Sequence, residues 1–120
     1  MTRVRKTRKL TMPFDESLAD RVRALLARRE RFNEKKMFGG IGFLLGGNMC
    51  VGVWKHFLIA RTGPKDYDDA LNRSHVEEFD ITGRALRGWV MIEPEGVDAE
   101  ADLIEWLDRA VQFVRRLPKK

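Results

Sequence analysis

The segment between residues 35 and 61 constrains the fold most strongly, because short β-prone runs alternate there with breaks of two or three residues. The runs read KKMF, IGFLL, MCVGVW and FLIAR, and the breaks fall at Gly39-Gly40, Gly46-Gly47-Asn48 and Lys55-His56. Runs of this length and composition are typical of β-strands, and such short connectors join antiparallel neighbours. The segment therefore predicts an antiparallel meander of three or four strands.

The stretch GGIGFLLGGNM, residues 39–49, also raises the question of a nucleotide site. A dinucleotide fingerprint requires G-x-G-x-x-G at the opening of a helix, whereas the spacing of Gly40, Gly42 and Gly46 is one residue too long and a strand follows. A P-loop requires Lys and Ser or Thr after its last glycine, but Asn48 and Met49 follow Gly47. The pattern disfavours a nucleotide site.

A hairpin turn explains this stretch better. Either Gly46-Gly47 or Gly47-Asn48 supplies the two residues tolerant of positive φ that a type I′ turn requires. Simple alternation then predicts two apolar faces, one with Ile41, Phe43, Leu45, Cys50, Gly52 and Trp54, the other with Gly42, Leu44, Met49, Val51 and Val53. Because both faces are apolar, we expect helices to cover one and further chain or a second subunit to cover the other. Homodimerisation is one hypothesis.

Helical periodicity appears on both sides of the meander. Apolar residues recur at helical spacing from Leu18 to Leu26, which predicts a helix over 15–31, and Asp98 is expected to cap a long helix that Pro118 ends. Between them we expect a short polar helix in KDYDDALNR, a ragged strand within 75–82 and a strand in RGWVMI. The order predicts an α+β fold, with an antiparallel sheet of about five strands packed against N- and C-terminal helices.

Composition and charge indicate one globular domain. A chain of 120 residues with 43% hydrophobic residues fits a single core, here assigned to residues 13–118 after a flexible basic arm over 1–12. The formal net charge is +5, and the arm carries five basic residues and no acid, which leaves eighteen of each sign elsewhere. Nucleic-acid contact through this arm is an alternative function, its residues being Arg3, Arg5, Lys6, Arg8 and Lys9.

Several classes of protein are disfavoured. No apolar run approaches the roughly 20 residues of a membrane span, and no signal core follows the N-terminal charges, so we expect a cytoplasmic protein without a membrane partner. The single cysteine, Cys50, rules out an intrachain disulfide and a multi-thiolate zinc site. Asp66, Asp68 and Asp69 lack the spacing of a calcium loop and are interpreted as a solvated helix face.

Catalytic chemistry finds little support in the sequence. Cys50 and His56 form a conceivable pair, but a core cysteine and a turn histidine are the simpler interpretation. We expect no catalytic residue, no cofactor and no metal, and hence no enzyme. A small enzyme or ligand-binding module that uses Cys50, His56 or Arg61 is a third hypothesis.

Several segments together form a recognisable pattern: Lys36 to Gly40 followed by Gly42, the hairpin ending at Met49, the FLIAR strand, the Gly88-Trp89 pair and the closing helix. This pattern resembles the N-terminal domain of TfoX/Sxy proteins over about residues 15–118. The resemblance implies a secretion-chaperone-like α+β fold. Full-length members regulate natural competence in bacteria and are thought to work with the cyclic-AMP receptor protein at promoters. This chain resembles a stand-alone version without the C-terminal domain, and the family supplies no catalytic residues.

The leading hypothesis is a non-enzymatic regulatory or protein-interaction domain that acts through an apolar sheet face or a groove beside Gly39-Gly40. Its partner is an unidentified protein, with the transcription machinery as one candidate. The residues proposed for this interaction are Met37, Phe38, Gly39, Gly40, Gly42 and Trp54.

Overall fold

The computed structural model describes residues 14–80 and 83–120. In chain order its elements are helix α1 (Glu16–Ala27), strands β1 (Asn33–Met37), β2 (Gly40–Leu45), β3 (Asn48–Trp54) and β4 (Phe57–Arg61), helix α2 (Tyr67–Leu71), strands β5 (Val76–Glu78) and β6 (Trp89–Ile92), a 3₁₀ turn (Pro94–Gly96) and helix α3 (Glu100–Val114). The predicted order of helix, meander, short helix, strands and helix is confirmed. None of the helices in these ranges has the length and apolarity that crossing a membrane requires.

Within the described residues the six strands form one antiparallel sheet in the order β1-β2-β3-β4-β6-β5. The first four strands are a meander with tight turns, as the short connectors predicted. The chain then passes through α2 and β5 before β6 inserts between β4 and β5. The α+β class is confirmed, with six strands in place of about five.

The side chains in and around helix α1 explain where the helix begins and where it ends. The Asp15 carboxylate caps it by accepting a hydrogen bond from the backbone N–H of Leu18 at 3.1 Å. The buried stripe consists of Leu18, Ala19, Val22 and Leu26. The helix ends at Ala27 rather than at the predicted residue 31, because residues 28–31 read RRER and offer no apolar side chain to the core.

The predicted alternation of the β2–β3 hairpin is wrong on β3. The turn is formed by Gly46 and Gly47, with φ of 58° and 83°, but Ile41 pairs with Val53 and Gly42 with Gly52. A bulge at Cys50 puts one extra residue into β3, and a one-residue shift moves every following side chain to the other face. Val51 and Val53 therefore share the core face with Ile41 and Phe43, while Gly42, Gly52 and Trp54 share the opposite one.

The prediction that Asp98 caps α3 is also wrong. The helix begins at Glu100 with Ala99 in the cap position, and no side chain there bonds to the helix backbone. The guanidinium of Arg21 on α1 instead donates to the backbone carbonyls of Val97 and Asp98, at 2.8 and 3.2 Å. The start of α3 is thereby tied to the middle of α1.

One hydrophobic core joins the inner stripes of α1 and α3 to a single face of the sheet. The large side chains that are fully buried there include Leu26, Phe43, Leu58, Ile92, Leu103 and Leu107. Asp66, which precedes α2, and Asp69 within it form ion pairs with Arg109 on α3, at 2.7 and 3.1 Å. These ion pairs fasten α2 to α3.

Candidate functional site

A second apolar cluster lies on the sheet face turned away from α1 and α3, here called the open face. Leu58 and Ala60 belong to the main core, so Ile59 between them points to the open face. Ile59 packs there with Phe79 and Met91. The partly buried rings of Trp54, Phe57 and Trp89 surround them, and Phe79 stacks on Trp89 with ring centroids 5.8 Å apart.

Two glycines pair across the centre of the open face and leave room for a methionine. A Cβ on Gly42 would lie 2.7 Å from the sulfur of Met49, and one on Gly52 would lie 2.9 Å from the Met49 methyl carbon. Both distances are too short for side-chain carbons in contact. The absence of side chains at Gly42 and Gly52 therefore allows Met49 to lie flat across β2 and β3.

The Gly39-Gly40 segment closes the β1–β2 hairpin. Phe38 and Gly39 are the two central turn residues, with φ of 52° and 78°, as a type I′ turn requires. Gly40 begins β2, and a Cβ there would collide with the backbone carbonyl oxygen of Val53. Gly39 thus allows the left-handed backbone of the turn, and Gly40 allows β2 and β3 to approach closely.

Phe38 combines an unusual backbone with an unusual exposure. A bulky residue at positive φ is a genuine outlier, and such strain clusters at functional positions. The Phe38 side chain is nevertheless 69% exposed, so core packing does not explain its presence. The indole N–H of Trp54 donates to the Phe38 carbonyl at 3.1 Å and holds the turn against β3.

These residues enclose an apolar depression of about 210 Å³, here called the glycine groove. Phe38 and Leu86 are exposed and mark its mouth. The rest of its lining includes Met37, Gly40, Met49, Gly52, Trp54, Ile59, Phe79 and Trp89. Three basic groups lie near the groove, and an acid, Glu77, shares the open face through its pairing with Met91 on β6. Lys35 pairs with Gly42 and shares its face, the ammonium of Lys55 lies 4.6 Å from the Trp54 ring, and the Arg61 guanidinium lies 5.0 Å from the Trp89 ring.

The six residues predicted for the interaction lie close together, although their function stays a prediction. Met37, Phe38, Gly40 and Trp54 line the groove. Gly42 lies beneath Met49, and Gly39 has no atom within 4 Å of its missing side chain. The five basic residues predicted for nucleic-acid contact, Arg3, Arg5, Lys6, Arg8 and Lys9, lie outside the described residues.

The sequence did not predict that Phe79, Leu86 and Trp89 line the groove. Phe79 and Leu86 belong to the connection between β5 and β6, which showed no clear periodicity. Trp89 entered the sequence analysis only within the strand RGWVMI and through the Gly88-Trp89 pair of the family resemblance. The pairing of β4 with β6 brings these residues to the groove, because it places Trp89 opposite Arg61 and Met91 opposite Ile59. Local sequence patterns do not show which distant strands pair.

The side chains considered for chemistry do not converge. Cys50 is buried near the start of β3, whereas His56 is exposed in the turn after it, roughly 15 Å or more along the strand. Burial raises the pKa of Cys50 to about 12, which keeps the thiol protonated. Arg61 donates to the Met49 carbonyl at 3.3 Å and lies between the rings of Trp89 and Phe113.

Among the described residues, His75, Glu93 and Glu95 form one group with potential metal-ligating atoms within 4.8 Å of one another. Local structure accounts for this arrangement. The His75 Nδ1 lies 3.5 Å from a Glu93 carboxylate oxygen, and the Glu93 backbone N–H donates to the His75 carbonyl at 2.8 Å. These contacts hold β5 beside the end of β6.

Comparison with known proteins identifies a family. The family model of the TfoX N-terminal domain covers residues 24–114, which is most of the chain and includes all six strands, the glycine groove and helix α3. A search of curated proteins and a search of solved structures return no match. The resemblance seen in the Met37-Phe38-Gly39-Gly40 segment is confirmed. The chain belongs to the TfoX N-terminal domain family.

Proposed function

We propose that this domain is a non-enzymatic regulatory module that binds an apolar, acidic segment of a partner protein in the glycine groove. The observation that carries the proposal is Phe38, a large aromatic side chain held in a strained turn and 69% exposed at the mouth of an apolar depression. Family membership supports a regulatory role, and it makes proteins of the transcription machinery the first partners to examine.

The size of the groove favours a protein side chain as its occupant. Sites for small molecules and cofactors typically measure about 300–1,000 Å³ and carry a few convergent polar groups. The glycine groove measures about 210 Å³ and its lining is almost entirely apolar. It therefore fits one or two large apolar side chains of a partner better than a cofactor.

The composition of the groove is that of a protein interface. Aromatic residues and methionine are enriched at interface centres, and methionine adapts its shape to different partners. Two tryptophans, two phenylalanines and two methionines meet at this one depression. Their number favours a binding surface over incidental exposure, since single exposed apolar residues need no explanation.

The charges beside the groove indicate which residues should flank the apolar side chains of the partner segment. Lys35 and Lys55 are exposed beside it on the β1–β3 side, whereas Glu77 lies at the opposite edge of the open face. No charged side chain of the described residues lines the groove itself. Carboxylates that flank the apolar anchor residues would meet these ammonium groups and speed association. We therefore expect a segment with large apolar residues next to Asp or Glu.

A peptide-display selection against the full chain tests this proposal, with affinities of individual peptides measured by fluorescence anisotropy. We expect the selected peptides to combine large apolar residues with Asp or Glu. The Phe38→Ala variant should bind them at least tenfold more weakly, a loss of about 1.4 kcal/mol, because an exposed aromatic anchor is removed. Lys35→Glu should also weaken binding, whereas the matched variant Lys65→Glu, an exposed lysine after β4, should not.

Two results would contradict the proposal. Peptides that keep full affinity for Phe38→Ala would place their site elsewhere. A dimer in light scattering that Phe38→Ala dissociates would show that the groove holds a second copy of the chain and not a partner.

A further inference from the structure

The end of the molecule where α1 and α3 terminate is strongly basic. Residues 28–31 follow α1 and residues 115–120 follow α3, and the fold brings these distant segments together. Arg115 and Glu30 form an ion pair at 2.5 Å. The Lys120 backbone N–H donates to the Gly46 carbonyl at 2.8 Å, and the buried Asn48 amide donates to the Pro118 carbonyl at 2.9 Å. We call residues 28–31 and 115–120 the basic pole.

Charge is segregated at this pole. It contains seven basic residues and one acid, Glu30. Outside the pole and the N-terminal arm, the chain has eleven basic and seventeen acidic residues. A domain that is neutral in total therefore divides into a pole with net charge +6 and a remainder with net charge −6.

Most cations of the pole have no ion-pair partner. Arg29 pairs with Asp108, and Arg115 pairs with Glu30. The exposed cations that make no salt bridge with any described residue are Arg28, Arg31, Arg116, Lys119 and Lys120. A cation at a helix C-terminus stabilises that helix, which accounts for Arg28 and Arg115. That effect fades within the last turn and leaves Arg31, Arg116, Lys119 and Lys120 unexplained.

A cleft of about 840 Å³ opens between these cations. Arg31, Arg115 and Lys119 contribute to its polar side, together with Glu30, whose carboxylate pairs with Arg115. Its apolar side includes Phe32, Leu45 and Leu117. The cleft passes the tip of the β2–β3 hairpin, where a Cβ on Gly46 would lie 3.0 Å from Lys119. The bare glycine turn thus lets Lys119 lie across the hairpin tip.

We infer that the basic pole binds single-stranded nucleic acid, with a base against the apolar side of the cleft. Its phosphates would lie on Arg31 and Lys119, which line the cleft, and on the exposed Arg116, which follows Arg115 in the chain. Grooves for single strands combine backbone cations with apolar and aromatic surface for the bases, as this cleft does. An acidic protein surface would use the cations but not the apolar side. A duplex has its bases stacked inside and would leave that side empty.

The test uses the full chain with fluorescein-labelled oligonucleotides of twenty thymidines and of twenty uridines, measured by anisotropy at several salt concentrations. The triple variant Arg31→Glu, Arg116→Glu, Lys119→Glu should bind at least tenfold more weakly at low salt. Loss of three phosphate contacts should reduce the slope of log affinity against log salt by about 2, because each contact with a single strand contributes about 0.7. The matched variant Lys36→Glu, Lys65→Glu, Arg84→Glu carries the same charge change on exposed residues elsewhere. It should stay within about threefold of the parent.

Other outcomes would overturn the inference. The first is that the parent chain does not bind either oligonucleotide at 50 mM salt. The second is that both triple variants weaken binding equally. The third is that a 20-base-pair duplex or polyglutamate binds the parent chain as tightly as the single strands do, or more tightly. A chain with serine at Arg3, Arg5, Lys6, Arg8 and Lys9 separates the arm from the pole. If that variant loses all binding while the pole variant binds like the parent, the site lies on the arm.

Discussion

The Phe43→Ala variant is expected to lose about 3–5 kcal/mol of unfolding free energy, measured by urea denaturation, because it leaves a cavity in a packed core. Phe43 is fully buried, and its ring packs edge to face on Phe32 with centroids 5.7 Å apart. It lies on the sheet face that α1 and α3 cover, between Ile41 and Leu45, where the surroundings leave little freedom to collapse.

Phe38→Ala is the matched control for that experiment, because it removes the same side chain from an exposed turn. We expect its unfolding free energy to stay within about 0.5 kcal/mol of the parent. The pair separates stability from function: Phe43 maintains the fold, while Phe38 is available for a partner. Equal destabilisation by both substitutions would contradict the assignment of Phe38 to the binding groove.

The Gly40→Val variant is expected to lose about 3 kcal/mol or more, because its Cβ would collide with the Val53 carbonyl and the backbone of β2 or β3 must move. The same movement would disturb the pairing of Ile41 with Val53. Thermal or urea unfolding measures the loss.

Gly39→Ala provides the comparison for Gly40→Val. Nothing lies within 4 Å of its missing side chain, so its cost is only that of a left-handed backbone, about 1–2 kcal/mol. A Gly40→Val variant as stable as the parent, or a Gly39→Ala variant that loses more than Gly40→Val, would show that the two glycines have other roles.

The element order was predictable from the sequence because each part of it is a local pattern. The apolar stripe of α1, the paired glycines at 46 and 47 and the broad apolar face of α3 each lie within one short segment. The family resemblance rests on the same segments, and the match over residues 24–114 confirms it.

The faces of the β2–β3 hairpin were not predictable, because the bulge at Cys50 leaves no mark in composition or spacing. Apolar residues stand on both faces of these strands, so alternation alone could not report a shift of one residue. The same shift places Gly42 and Gly52 opposite each other and brings Gly52 into the lining of the groove.

The basic pole was hidden for a different reason. The folded part has equal numbers of acidic and basic residues, and this total gave no sign of a charged surface. The ends of α1 and α3 lie more than eighty residues apart in sequence, and only the packing of the two helices joins them. Net charge counted along a chain does not report charge segregated by the fold.

The central claim is that the glycine groove binds the partner segment, and methionine methyl resonances test it most directly. Two of the five methionines, Met37 and Met49, line the groove, whereas Met1 and Met12 lie in the N-terminal arm. The full chain labelled with ¹³C at the methionine methyl groups is titrated with a selected acidic, apolar peptide, and Met→Leu variants assign the resonances. We expect the Met37 and Met49 methyl signals to shift in proportion to saturation. Saturable binding that leaves both signals unmoved would contradict the claim.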